Sequence, residues 1–117
     1  MLDKAHRIHQ DKQYHLLFST GKKAVGRYMV LLFRRNEGFD SRIGLITSKK
    51  VGKAHERNRA KRQLRACTYE NFRYLKPGYD IVLIARASIR DAAYEKIVKD
   101  FRILLKKNEI LKTKEKQ

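Results

Sequence analysis

The chain is short of carboxylates, cysteine and proline, and each shortage closes off a class of function. Its 117 residues hold 12 Asp and Glu against 29 Lys and Arg, a net charge of +17. A protein nuclease needs clustered carboxylates to hold metal ions. Here the acids run singly from Asp3 and Asp11 through Glu37, Asp40, Glu56, Glu70, Asp80, Asp91, Glu95 and Asp100 to Glu109 and Glu115. Asp40 and Asp80 stand where strands begin and read as structural. The one cysteine, Cys67, excludes an internal disulfide and suits a reducing compartment. Pro77 is the sole proline, so no Pro-rich linker divides the chain. At 42% hydrophobic content it reads as a single domain, residues 1–117, with a Lys-rich end at 106–117. The longest apolar runs, Tyr28–Phe33 and Ile81–Ala85, are too short to span a bilayer. The opening segment MLDKAHRIHQDK has no apolar stretch and is unlike a signal peptide. These features predict a cytoplasmic, soluble domain without a membrane anchor.

What the chain has instead is concentrated positive charge. The segment KKVGKAHERNRAKRQLR carries Lys49, Lys50, Lys53, Arg57, Arg59, Lys61, Arg62 and Arg65 within 17 residues, against Glu56 alone. A merely solvated helix face intersperses both signs. An unbalanced one on a rigid helix fits a polyanion lying against it, and nucleic acid is the expected partner. Arginine offers forked donors to phosphate oxygens, and lysine a mobile point charge.

Periodicity places this segment in a fold. Asp11 reads as a helix N-cap and Gly21 as the residue just past the helix C-terminus, with Tyr14, Leu17 and Phe18 on one face between them. Tyr28–Phe33 reads as a strand, RRNEGFDSR as a hairpin connection, and Ile43–Thr47 as the next strand. A helix follows from His55 to Phe72. Ala60, Leu64, Cys67 and Asn71 share its core face, while Arg57, Asn58, Lys61, Arg62, Arg65 and Tyr69 fill the wet arc beside it. Lys76-Pro77-Gly78 is a turn. Ile81–Ala85 is apolar throughout and reads as a buried central strand. Asp91 caps a last helix that packs through Tyr94, Ile97, Val98, Phe101, Leu104 and Leu105. The order is α-β-β-α-β-α with room for a further short strand, an α/β sandwich with one crossover.

Other chemistry is poorly served. His6, His9, His15 and His55 lack the cysteines or paired carboxylates of a metal site. Cys67 falls on a buried face and reads as core. GKKAVG is not a phosphate loop, because no strand precedes it and no Lys-Ser/Thr follows. No catalytic residue is assigned to the protein. The aromatics Tyr14, Phe18, Tyr28 and Phe33 could stack on unpaired bases, although each alone fits core packing. The rival readings are a non-enzymatic RNA-binding protein, a DNA-binding module and a lone nuclease. The basic helix lacks a companion at turn distance, which disfavours helix-turn-helix.

Over nearly its full length the chain resembles the bacterial ribonuclease P protein component. The resemblance rests on Ser48-Lys49-Lys50-Val51-Gly52-Lys53-Ala54 leading into Arg57-Asn58-Arg59-Ala60-Lys61-Arg62, the family's RNR helix. Arg7-Ile8, Tyr14, Phe18, Gly21 and Asp80–Arg86 support it. It implies an α+β two-layer sandwich in αβββαβα order, with a small central sheet and a left-handed βαβ crossover. It implies a partner, the catalytic RNA, which hydrolyses precursor tRNA with Mg2+ held mainly by the RNA and its substrate. No organic cofactor and no obligate protein partner are implied. Carried onto this chain, it gives RNA contact to Lys49, Lys50, Lys53, Arg57, Asn58, Arg59, Lys61, Arg62 and Arg65. It gives a cleft for the single-stranded 5′ leader to Tyr14, Phe18, Leu32 and Ser48. Relatives often have an aromatic on the cleft floor. Here Leu32 takes that position beside Phe33, and the sequence does not say which of the two faces the cleft.

Overall fold

A computed structural model describes residues 2, 4–8, 11–36, 38 and 40–112. The elements are α1 (Asp11–Thr20), β1 (Lys22–Val25), β2 (Met29–Arg35), β3 (Arg42–Ile46), α2 (Ala54–Asn71), β4 (Tyr79–Ala85) and α3 (Tyr94–Lys107). Short 3-10 turns occupy Lys4–His6, Lys49–Val51, Phe72–Tyr74 and Ala87–Asp91. The αβββαβα order holds. The end of the Lys-rich tail, 113–117, lies outside the described residues.

Strand order in the sheet is β1-β2-β4-β3, with β4 antiparallel to β2 and parallel to β3. The segment after β2 is therefore not a hairpin connection, because β4 separates β2 from β3. The reason lies in β4 itself. Ile81, Val82 and Leu83 are fully buried although they alternate between faces, so this strand needs cover on both sides and both edges. The connection from β2 crosses the start of β4 and is fastened there. Asn36 N donates to Gly78 O at 2.8 Å, and Asn36 Nδ2 donates to Asp80 Oδ1 at 2.9 Å. Ser41 Oγ donates to Lys76 O at 2.7 Å and accepts from Tyr79 N at 3.0 Å. Helix α2 then forms the crossover from β3 to β4.

The core sits mainly between the sheet and the pair α2 and α3. Met29, Leu31 and Phe33 of β2 meet Ile81, Leu83 and Ala85 of β4, Ala60, Leu64 and Cys67 of α2, and Ile97, Phe101, Leu104 and Leu105 of α3. The two-layer expectation describes this side. On the other face α1 makes a smaller cluster, in which Leu17 packs with Ile8, Leu32 and Val82. Strand alternation thus sends Leu32 toward α1 and Phe33 toward α2 and α3, which settles the choice the sequence left open.

One terminator reading holds and one needs correcting. α1 ends at Thr20, so Gly21 follows it directly, with its N–H donating to Leu17 O at 2.9 Å; positive φ is confined to Gly52 and Gly78 among the glycines. Glycine is required at 21 by close approach, since an added Cβ would stand 2.6 Å from Leu17 O and 3.1 Å from Phe33 O. Asp91 does not cap α3. The helix starts at Tyr94 after Ala93, with no side-chain cap, because the Ala87–Asp91 turn first tucks Ile89 and Ala92 into the core.

Candidate nucleic-acid interface

The N-terminal end of α2 is built to hold its charges outward. Gly52, at φ 143°, turns the chain into the helix. A side chain there would run into the Glu56 carboxylate. Glu56 accepts from Lys53 N at 2.8 Å, and this backbone hydrogen bond, with help from nearby Arg90, holds its pKa below the usual carboxylate range. The single acid of the basic stretch thus caps the helix and leaves the arginines unpaired by it. Arg57 Nη1 donates to Gly52 O at 2.9 Å, and Arg59 Nη1 to Arg90 O at 3.0 Å. Both guanidinia are aimed by carbonyls and keep further donors.

Asn58 and Arg62 are exposed, and Arg57, Lys61 and Arg65 half-buried. Lys49, Lys50 and Lys53 are exposed on the approach, where Ser48 Oγ accepts from Lys50 N at 3.3 Å. None of these cations forms an ion pair with a described carboxylate. The predicted core face is as expected, with Ala60, Leu64, Cys67 and Asn71 all buried.

Around the edge of β3 the basic arc meets α1. An open pocket there is lined by Arg7, Ile8, Tyr14, Gly44, Lys61 and Arg65, among others. Tyr14 lies across Gly44, whose missing side chain makes room for it; an added Cβ would be 2.6 Å from the Tyr14 hydroxyl. That hydroxyl donates to Ile8 O at 3.2 Å, and burial pushes its pKa up. Phe18, one turn along the same face of α1, is 56% exposed.

Beyond the row of Arg34, Asp80 and Arg42, the sheet carries two further rows of side chains on the α1 face. Register aligns Lys23, Leu32, Val82 and Gly44 in one row, and Val25, Val30, Ile84 and Ile46 in the next. Leu17 and Tyr14 cover the first row, so Leu32 is only 7% exposed and packs under the helix. Leu32 faces the expected side but is not open floor. The uncovered apolar floor is the second row: Val25 is 59% exposed, and Val30, Ile84 and Ile46 are half-buried. Sequence reading missed all four. The period of two from Leu32 and Val82 was the available signal, but it needed the strand order to become a surface.

The remaining candidates for chemistry are structural. Asp80, a buried carboxylate, accepts from Arg42 Nε at 2.9 Å and Arg42 Nη2 at 2.8 Å, besides Asn36. Burial pushes the Cys67 thiol up to about 12, far from the thiolate a nucleophile needs. Among the described residues no three of His, Cys, Asp and Glu come together as a metal-ligand set. No helix among them is long and apolar enough to cross a membrane.

Comparison with known proteins gives one answer. The sequence model of the Ribonuclease P family matches residues 2–109. The ribonuclease P protein component of Syntrophomonas wolfei is 42% identical over 107 residues, covering 92% of this chain and 90% of that protein. The RNase P protein of Thermotoga maritima superposes with a TM-score of 0.78 at 31% identity, over 86% of this chain and 96% of that one. That of Staphylococcus aureus gives a TM-score of 0.82 at 28% identity, over 92% and 99%. The match takes in the basic helix, the sheet and α1 alike, and the chain belongs to the ribonuclease P protein family.

Proposed function

We propose that the chain is the protein subunit of a tRNA 5′-maturation ribonucleoprotein, in which α2 holds the catalytic RNA and the groove beside α1 holds the 5′ leader of precursor tRNA. The observation that carries this reading is the pocket in which Tyr14 of α1 meets the cations Lys61 and Arg65 of α2. Beside it α1 exposes an aromatic, Phe18, and the sheet an apolar row that includes Ile46 and Ile84. Single-stranded nucleotides suit such a surface, since bases stack on or lie against apolar groups and phosphates meet cations. The floor offers aliphatic contact rather than a second stacking ring, so shape and hydrophobic contact set leader preference there. Ser48, Lys49, Lys50 and Lys53 follow β3, whose Ile46 lines the floor, on the approach to α2.

In this reading the protein's part is contact and orientation, and the hydrolysis belongs to the RNA. The Mg2+ ions implied by the family would be held by the RNA and its substrate. A cytoplasmic location is part of the same proposal.

The test is cleavage of a precursor tRNA at low magnesium by the protein alone, the catalytic RNA alone and both together. Efficient cleavage at the mature 5′ end by the pair only is the expected result. If the protein adds nothing to a matched RNA, a general RNA-binding role replaces this one.

A further inference from the structure

A second concentration of positive charge lies beyond the C-terminal end of α2, on the Phe72–Tyr74 turn and the exposed face of α3. Two guanidinia share the Tyr74 ring. Arg73 Cζ is 5.0 Å from the ring centroid and Arg102 Cζ 5.2 Å. Arg73 Nη2 also donates to the Tyr74 hydroxyl at 3.0 Å. Both arginines are exposed, and neither forms an ion pair with a described carboxylate. More cations are gathered around them. A short antiparallel pairing, Lys112 N to Tyr74 O at 2.7 Å and Lys76 N to Ile110 O at 2.8 Å, sets Lys76 and Lys112 beside the turn. Lys99 and Lys106 flank Arg102 by one helical turn on either side.

The acids nearby do not answer this charge. Asp100 accepts from the backbone of Arg27 and Tyr28 at 3.0 and 2.9 Å, and Glu70 accepts from the Tyr94 hydroxyl at 2.6 Å. Glu109 stands in the turn after α3 without an ion pair to a described residue. Along the chain the patch is set off from the last arginine of the α2 arc, Arg65, by a stretch without cations that includes Tyr69 and the engaged Glu70. Its geometry suits phosphate. A guanidinium held over a ring keeps N–H donors for phosphate oxygens; Arg73 spends one on the Tyr74 hydroxyl and retains the rest. A lipid surface fits less well, because Ile103 is the one large apolar side chain exposed on α3.

We propose that this patch grips the phosphate backbone of a second segment of the catalytic RNA, so that the RNA holds the protein at two places, α2 and the Arg73–Tyr74–Arg102 stack. The inference rests on the functional reading above. The described body measures 37 × 35 × 25 Å, small enough for one large folded RNA to reach both patches.

The experiment measures affinity of the full chain for the catalytic RNA across a salt series. Arg73→Ala with Arg102→Ala is one variant. Lys99→Glu with Lys106→Glu is a second, at exposed positions without ring contacts, in case loss of the stack disturbs folding. Arg62→Ala with Arg65→Ala on α2 is run beside them, each with a thermal melt. The α3 variants are expected to lose roughly 10- to 30-fold in affinity at physiological salt, with a shallower salt slope. If they keep the native slope while the α2 pair loses it, the patch is a solvated face and the functional reading survives. If neither changes, that reading falls too. A tethered iron chelate at Lys99→Cys supplies the location, since buried Cys67 stays unlabelled. Scission of the RNA at positions different from those reached from Ala66→Cys is expected; the same positions, or none, would overturn the proposal.

Discussion

Replacing Arg62 and Arg65 together by alanine isolates the electrostatic part of RNA binding. Neither side chain is engaged by a described carboxylate, and both lie off the core face. Alanine keeps the helix, being its best former. Losing two cations from a chain of net charge +17 also relieves self-repulsion. Stability should therefore stay within about 0.5 kcal/mol of the parent. Binding should not. Each phosphate contact contributes about −0.7 to −0.9 to the slope of log affinity against log salt, so two lost contacts flatten the slope by about 1.4 to 1.8. Extrapolated from a common value near 1 M salt, that is a loss of roughly 15- to 30-fold at 0.15 M, and of roughly 70- to 200-fold at 0.05 M. Filter binding or fluorescence anisotropy over that range, with the catalytic RNA refolded in magnesium, reads both numbers. A double variant that melts like the parent and keeps the parental slope would refute the placing of RNA on this arc.

Three further outcomes follow from the same geometry. Phe18→Ala should weaken binding of leader-bearing precursor by about 1–3 kcal/mol, the worth of one stacked base, and leave mature tRNA unaffected; Val30→Tyr should strengthen the leader term, and equal effects on both RNAs in competition binding would point to misfolding instead. Asp80→Ala strands Arg42 and Asn36 at the start of β4 and should cost about 3 kcal/mol or more in urea unfolding; a loss under about 1 kcal/mol would mean that the pair is not what holds the crossing segment. Cys67 has a folded pKa raised from 9.0 to about 12, so its stabilising contribution is complete below pH 9 and is lost as pH rises toward 12. The melting temperature of the parent should accordingly fall more steeply than that of Cys67→Ala across this window, and parallel curves would show that the thiol ionises freely in the folded state.

The parts of the fold legible in the sequence were those written in one element at a time. Ala60, Leu64, Cys67 and Asn71 gave the buried face of α2 because their spacing is a property of one helix. Ile81–Ala85 announced a central strand because no polar residue interrupts it. Strand order was not legible, since nothing local to RRNEGFDSR says that Asn36 will bond to Asp80, 44 residues away. β1 is four residues long with two lysines, a poor match to an apolar strand pattern. The candidate site divided the same way. The cations of α2 were found from their density alone; Tyr14 and Phe18 stood out as aromatics one helical turn apart, and the family resemblance assigned them to a leader cleft. The open floor of Val25, Val30, Ile84 and Ile46 exists only once four strands are in register. Leu32 was assigned to the floor because a position in a motif does not reveal that Leu17 will lie on top of it.

The two edges of the sheet bear on solubility. β1 presents Lys22 and Lys23 to solvent along one edge, and the backbone at Arg7 and Ile8 covers the other, where Ile8 N donates to Ile43 O at 2.8 Å. A chain this basic would keep its copies apart by mutual repulsion alone. That protection weakens once RNA neutralises the charge. The lysines of β1 lose their force then too, but a backbone strap does not. The cover over β3 is thus the safeguard against edge-to-edge pairing that still works in the bound state.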